Sequence, residues 1–404
     1  MSASDMASDA PVICYSDRAC TPNETLARIS SSLSAHGITR LARLTDLDQI
    51  GIPVWNAVAP NSRSIAINQG KGILDIDAKV SAAMEALERS VAEDPKVETR
   101  RMSVQSLNDE GAFVDPLHSL IKAGQTEIRA NEFVDWTLGR DIVSERDVWV
   151  PRDALLLDDT KDNRFWQSSD GLASGNTLLE AMFHGLLERI ERDATTIWQF
   201  VSGEEKKGKC VDVHSIKDAV LSDLARRINV AGFQLQVFDV TNDIGIPCFE
   251  AFIAPQAAPN AEIRYIEVTG GYGAHPNPVR AAIRAVTEAA QSRLTYISGA
   301  RDDIHPETFS RNLPAHLRDL LLLNPVPYAA RFEISAGTTL KDMLAFVVDK
   351  LKAAGVSSAI AVPLNPGERN FSVAKVLVPE LENPDGNRKR RFGPRALKRI
   401  LSSR

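Results

Sequence analysis

The stretch that most constrains this chain is residues 171–200, GLASGNTLLEAMFHGLLERIERDATTIWQF. It reads as a glycine-rich turn opening a long helix, with Asn176 a good N-cap and Thr177 suited to the first turn. With Glu180 at zero on a helical wheel, Glu188 falls near ~80° and Glu191 near ~20°, so the three form one acidic stripe with Arg192 at its edge. Leu178, Leu179, Met182, Phe183, Leu186, Leu187 and Ile190 cover much of the remaining circumference. A surface amphipathic helix has one apolar face and one broad polar face. Here apolar residues border the glutamates on both sides, so the stripe is expected to be semi-buried. Buried like charges repel, and each needs a partner. Mg²⁺ is an economical one, because it is hard, prefers oxygen ligands and bridges phosphates. His184 shares the stripe, as a core histidine bonded to a glutamate or as a base.

Two further helices carry carboxylates at helical spacing. The first, from about Asp77 to Asp94, places Glu85 and Glu88 ~60° apart with Ser81 ~40° from Glu85. The second, from about Pro278 to Tyr296, sets Glu288 and Gln291 three residues apart, with Arg284 and Arg293 able to offset charge or meet phosphate. Any one such motif is usually a solvated face holding an ion pair. A capped glycine turn, a walled-in stripe and two more acidic helices together point to a shared site.

Around these helices the chain reads as α+β, because strands cluster in runs rather than alternating with helices. A helix is expected from Asn23 to the His36-Gly37 stop. Strands are expected at FVDWTLGRDI, DVWVPRDALLL, FQLQVFDVT, GIPCFEAFIA and RYIEVTG, with GGYGAHPNPVR as a tight loop. Further strands are expected near 328–334, 358–363 and 371–378, and a helix from Leu340 to Ala354. Residues 1–22 read as a disordered N-terminus, 23–380 as one catalytic domain, and 381–404 as a basic tail.

Several function classes lack their signatures. There is no Walker loop, since Gly70-Lys71-Gly72 has the wrong context, and no dinucleotide, kinase or nucleophile-elbow motif. No run of eighteen apolar residues spans a membrane, and MSASDMASDAPV lacks the features of a secretory signal, so a cytoplasmic location is the expectation. Cys14, Cys20, Cys210 and Cys248 are scattered, without zinc spacing. Net charge is −6, but Arg388 to Arg404 hold eight Lys/Arg and no acid, leaving 39 basic against 53 acidic residues, −14, in the rest. Such a tail suits nucleic acid, an acidic peptide, the body's own acidic surface or plain solvation. No nucleic-acid-binding motif accompanies it, so nucleic acid is not an expected partner. Trp136, Trp149, Trp166 and Trp198 read as core, and His275 as a turn residue or a contact to ligand.

The blocks SAAMEALER (81–89), GLASGNTLLEAMFHGLLERIERDA (171–194) and GGYGAHPNPVRAAIRAVTEAAQSR (270–293), extended by ISGARDD (297–303), resemble the three signature blocks of the YcaO family, within segments 64–94, 171–200 and 270–303. The resemblance covers roughly residues 35 to 380. It implies a YcaO-type α+β fold, with mixed and antiparallel sheets and glutamate-bearing helices around a central ATP site that has no P-loop. Carried over by motif position, Ser81, Glu85, Glu88, Asn176, Glu180, Glu188, Glu191, Arg192, Gln291 and Arg293 are implied nucleotide contacts. Glu85, Glu88, Glu180, Glu188 and Glu191 are the implied Mg²⁺ ligands. Glu188, Glu191, Arg192 and Lys71 carry the implied catalysis, Arg192 facing phosphate and Lys71 a phosphate contact or a solvated turn lysine.

The resemblance also implies the chemistry. A nucleophile adds to a peptide backbone amide, and ATP phosphorylates the adduct's oxygen so that it can leave. A side chain of the substrate gives an azoline, sulfide gives a thioamide, and an amine gives an amidine. The chain ends RRFGPRALKRILSSR rather than in the proline-rich tail of many azoline-forming members. It looks more like the YcaO proteins that work with a TfuA partner, which implies thioamide formation in a ribosomally made precursor peptide. A TfuA-like or other partner and a sulfur donor are then expected, and a homodimer is allowed for. The alternatives are an azoline-forming cyclodehydratase and an ATP-binding accessory protein for a methylthiotransferase.

Overall fold

The computed structural model describes residues 15–256, 263–329 and 338–402. Helix α1 (Pro22–Ala35) starts on a reciprocal Thr21–Glu24 capping box with proline in its first turn, and stops at His36-Gly37, where Gly37 takes a φ of 71°. Strands β1 (Arg40–Arg43), β2 (Val54–Val58) and β3 (Ile67–Lys71) form an antiparallel sheet on which α2 (Asp75–Glu93) packs. Next come β4 (Arg100–Met102), α3 (Val104–Asp109), β5 (Phe113–Val114), β6 (Val134–Asp141), β7 (Arg146–Pro151), β8 (Leu172–Gly175) and α4 (Leu178–Trp198). They are followed by α5 (Gly203–Lys207), β9 (Val211–Asp212) and α6 (Ala219–Val230). A second antiparallel sheet, β10 (Phe233–Asp239), β11 (Cys248–Pro255) and β12 (Thr269–Ala274), is backed by α7 (Pro278–Ser298). The chain continues through α8 (Ala315–Leu321), β13 (Val326–Pro327), α9 (Leu340–Ala353), β14 (Ile360–Pro363), β15 (Ser372–Leu377) and α10 (Pro394–Ser402). The large sheet runs β5-β7-β6-β14-β15-β8 with β4 on β6, mostly antiparallel but with β5 parallel to β7. This is the expected α+β class with mixed and antiparallel sheets.

Three of these pieces repeat one design: a strand bearing glycine, a short connection, then a long helix lying back on that strand. The units are β3–α2, β8–α4 and β12–α7. Glycine is required where strand and helix meet. A Cβ at Gly70 would lie 2.0 Å from the Ala82 amide nitrogen, and one at Gly271 would lie 2.2 Å from that of Ala289. The helices answer with alanines, Ala78 and Ala82 in α2 and Ala281, Ala285 and Ala289 in α7, all buried. Each helix also touches the next unit's strand: α2 meets β8, α4 meets β12, and α7 meets β3. The three units therefore close into a ring.

Several expectations are corrected. RYIEVTG is not a strand throughout: Tyr265–Glu267 is a 3-10 turn, and the strand is the following TGGYGA, read above as a loop. LASG is likewise β8, with Gly171 alone left in the turn at a φ of 76°. Thr177, not Asn176, caps α4, its hydroxyl accepting from the Glu180 N–H at 3.2 Å. Of the segment expected to be disordered, Asp17 is buried while Tyr15, Arg18, Ala19 and Thr21 are exposed, and residues 1–14 lie outside the described residues. The strand expected near 328–334 begins earlier, at Val326–Pro327, and 330–334 lie outside the described residues. The basic tail binds the body's own acids: Arg395 pairs with buried Asp193 at 2.9 Å and with Asp243, Arg399 pairs with Glu205, and Lys389 and Arg390 face Glu127. Among the described residues no helix is long and apolar enough to cross a membrane.

Candidate active site

The ring aligns the three helices residue by residue. Glu85, Glu188 and Glu288 each stand ten residues after the first residue of α2, α4 and α7. Three residues further on are Glu88, Glu191 and Gln291, and next to those Arg89, Arg192 and Ser292. Since the helices enter the ring alike, equal depth brings these side chains to one place.

Their electrostatics show that they meet. Burial raises the Glu88 carboxyl well above its ordinary range, and Glu85 and Glu188 push it higher, against Arg89 and the Ser174 hydroxyl, which donates to it at 3.1 Å. Burial also raises Glu188, to about 7, with Asp170 and Glu191 adding to the rise and Arg192 and Lys375 opposing it. Glu191 is raised by burial and by Glu288 despite Arg192, Arg284 and Lys71. Glu288 differs: burial would raise it, but Lys71, which forms an ion pair with it, and Arg192 hold it below the usual range. Arg192 is the central cation, 3.0 Å from Asp170, 3.3 Å from Glu188 and 3.6 Å from Glu191. The α4 stripe is semi-buried as its sequence implied, with Glu180 at 0% and Glu191 at 5% exposure and the Glu188 side chain 24% exposed.

The structure therefore gathers Glu85, Glu88, Glu188, Glu191 and Arg192, and reaches Lys71 through Glu288. Ser81 lies half-buried one turn before Glu85. Asn176 and Glu180 sit at the start of α4, where the N-terminal segment crosses them. Glu180 accepts from the Ala19 N–H at 2.5 Å, from the Asn176 N–H at 2.9 Å and from Arg18 at 3.4 Å, so its carboxylate is already satisfied. The Thr25 hydroxyl donates to the Asn176 side chain at 2.9 Å. Gln291 donates to the Gln69 carbonyl at 3.2 Å, one strand position from Gly70. Arg293 is held by Asp48 at 3.1 Å and lies over the Phe233 ring at 4.2 Å, away from the cluster.

His184 is not bonded to a glutamate. Its Nδ1 is 3.4 Å from Arg284, and its Nε2 lies 3.4 Å from Asp17. Asp17 also takes Arg280 at 2.9 Å and His275 Nε2 at 3.2 Å, while His275 Nδ1 accepts from the Asn277 N–H at 2.8 Å. That last bond makes His275 a neutral imidazole with its proton on Nε2. Burial lowers His184 to about 3 and His275 to about 4, so neither charges near neutrality. Asp17 pins the N-terminal segment and carries Arg18 to the mouth of α4. Trp136 and Trp198 are core, as expected.

Sequence reasoning missed Asp17, Arg18, Thr25, Asp170, Lys375 and the part of Glu288. A signal existed only for Glu288, which shares its helix position with Glu85 and Glu188. The others arrive from distant segments.

The donor set fits a hard divalent cation shared with phosphate. It is all oxygen, it is largely buried, and burial pushes the Glu88, Glu188 and Glu191 carboxyls up, with neighbouring carboxylates adding to the rise. Among the described residues no three acidic, histidine or cysteine side chains are placed to hold an ion by themselves. Mg²⁺ is commonly held by one or two carboxylates, with phosphate oxygens and water completing its shell.

Comparison with known proteins agrees with this geometry. The family model described as YcaO cyclodehydratase, ATP- and Mg²⁺-binding, matches residues 69–382. A Rhizobium leguminosarum bv. trifolii protein described as lying in the tfuA 3' region is 40% identical over 402 residues, covering 97% of this chain and 95% of its own. Among solved structures, YcaO from Methanopyrus kandleri bound with AMPPCP and Mg²⁺ superposes with a TM-score of 0.72 at 22% identity, over 96% of this chain and 97% of that one. A heterocyclase in complex with substrate and cofactor gives a TM-score of 0.72 at 21% identity over 93% of this chain, which spans about half (54%) of that longer protein. At such identities these two likenesses concern the fold. The family match and the 40% relative both run through the three helix-borne blocks whose carboxylates the ring gathers, and this chain is accordingly an enzyme of the YcaO family.

Proposed function

We propose that this protein uses ATP and Mg²⁺ to phosphorylate the oxygen of a nucleophile adduct on a peptide backbone amide, converting the amide to a thioamide with sulfide as nucleophile and a TfuA-like protein as partner. The observation that carries the reading is the set of under-neutralised carboxyls from α2 and α4, facing Arg192 and the Lys71–Glu288 pair. One or two of Glu85, Glu88, Glu188 and Glu191 would hold Mg²⁺, with phosphate oxygens and water completing its shell. When bound, the ion would supply positive charge against the phosphates.

The chain's own residues supply position and fixed charge. Arg192 is already oriented by three carboxylates, so it presents a preorganised guanidinium to developing phosphoryl charge. Lys71 is steadied by Glu288, and Arg18 by Glu180 and the Ser174 carbonyl at 3.0 Å. An amide oxygen is a poor leaving group, and its phosphate ester is a good one, which is why phosphoryl transfer is the step that needs the enzyme. The thioamide outcome rests on the tfuA-region relative.

The test combines purified protein, a TfuA-like partner, ATP, Mg²⁺, sulfide and a precursor peptide, followed by peptide mass. Exchange of one oxygen for sulfur per site is expected. Loss of one water would replace the reading with azoline formation. Partner-dependent ATP hydrolysis with an unmodified peptide would replace it with the accessory role.

A further inference from the structure

Behind the Ser168–Gly171 loop lies a partly open cavity walled by Ser119, Ala154, Asp170, Arg189, Lys375 and Asn383. It shares Asp170 with the site just described, since that carboxylate also binds Arg192. Two cations face it. Arg189 is 3% exposed; one of its terminal nitrogens donates to the Glu382 carbonyl at 2.8 Å, while the other, Nη1, has no hydrogen-bond partner. Lys375 is 5% exposed and gives one hydrogen bond, to the Ser168 carbonyl, leaving the rest of its donor capacity open. The Ser119 hydroxyl is buried and also unpartnered. Asp170, which also binds Arg192 at 3.0 Å and the Ser168 hydroxyl at 2.6 Å, offsets part of this charge together with Glu188.

A buried guanidinium nitrogen left without an acceptor is costly. Three donor side chains line this one cavity, two of them cationic, and an acceptor bound there would meet them. The interior has room for a water-sized occupant and not for a nucleotide or a peptide side chain. A small monovalent anion offers lone pairs to all three donors and is drawn to the two cationic side chains among them.

We propose that this cavity binds a small monovalent anion and that the anion is hydrosulfide, held one loop away from the phosphoryl-transfer site. The identity of the anion rests on the thioamide reading above; the existence of the site does not. Hydrosulfide forms a C–S bond to the amide carbon, and the carbonyl π pair moves to oxygen. That oxygen takes the γ-phosphoryl group of ATP, releasing ADP. Loss of hydrogen phosphate, carrying the former S–H proton, then leaves the C=S bond. Lys375 and Arg189 stabilise the anion before addition and are binding groups.

The test fills the cavity without touching its charges, using Ser119→Met and, from another wall, Ala154→Leu. In crystals grown in sodium bromide, anomalous scattering is expected to place bromide beside Arg189 Nη1 and Lys375 Nζ in the wild type and in neither variant. In turnover, both variants are expected to raise the KM for sulfide about tenfold, a loss of about 1.4 kcal/mol of binding. Their affinity for AMPPCP with Mg²⁺, measured by calorimetry, is expected to match the wild type and to show that the fold is intact. Absence of bromide from the wild-type cavity would overturn the anion site. Bromide in place with an unchanged sulfide KM in both variants would overturn the hydrosulfide assignment. A wild-type enzyme that makes no thioamide with any sulfur source removes the function proposed above, and the bromide experiment then decides the anion site by itself.

Discussion

At the scale of single residues, the site is governed by carboxyls that lack enough positive charge. Glu188 and Glu191 both pair with Arg192. Glu188→Ala or Glu191→Ala should reduce ATP consumption at least ~100-fold, the order seen when a preorganised electrostatic contact is lost. The circular dichroism spectrum should be unchanged. Removing either acid also relieves repulsion, so thermal stability without nucleotide should hold or rise; wild-type turnover in both variants would remove the site assignment. A different carboxyl supplies a pH signature. Glu250 on β11 stands opposite Tyr272, close to Trp198 and Lys206, and burial pushes it up to about 7 against the pull of those three. A carboxyl whose folded pKa is raised stabilises the fold fully below its unfolded value, and that contribution disappears as pH rises through the folded value. From an ordinary value of 4.5 to about 7, the loss amounts to roughly 3 kcal/mol at most. Glu250→Gln keeps the shape and cannot ionise. Its melting temperature relative to wild type should therefore climb between pH 5 and pH 8; parallel melting curves would contradict the shift.

At the scale of elements, the decisive devices are the glycine-for-Cβ contacts between each strand and its helix. Gly70→Ala would force a methyl onto the Ala82 amide, within 2.7 Å of three backbone atoms of α2. No side-chain rotation relieves a clash with backbone, so the substitution should cost more than ~3 kcal/mol, read as urea unfolding or as failure to accumulate folded protein. Gly203→Ala, where nothing lies within 4 Å, is the control and should be near neutral. The same glycines explain what could be read from the sequence. The helices announced themselves through 3.6-residue periodicity, and the walled-in stripe of α4 foretold its burial. Strands β8 and β12 were hidden, because LASG and TGGYGA carry the residues of turns. Those glycines are there to admit a helix, a tertiary reason invisible to local propensity. The alignment of Glu85, Glu188 and Glu288 at one helical depth was present in the sequence, but it becomes meaningful only once the three strands are known to precede the three helices.

At the scale of the whole molecule, the two ends of the chain are fastened to α4. Asp17 anchors one end among His184, His275 and Arg280, and Arg395 anchors the other on Asp193, which is fully buried. Arg395→Met strands that carboxylate, and burial already raises it even with the arginine in place. The expected loss is about 3 kcal/mol, measured by urea unfolding. Pairing the change with Asp193→Asn should recover part of it, and full additivity of the two would contradict a direct coupling. Neither fastening was legible beforehand. Asp17 falls in a segment whose composition reads as disordered, and the acids that receive the tail lie about two hundred residues away in sequence.

The closed ring of three units has one more consequence. An arrangement of three like units offers a ligand with two unlike ends three equal ways to lie down, which is useless for directing a reaction at one of those ends. The third unit breaks the tie: an amide, Gln291, stands where its sisters have an acid, a hydroxyl, Ser292, stands where they have a guanidinium, and its own glutamate is neutralised by Lys71. Head and tail are told apart by three departures from sameness, all on one helix face.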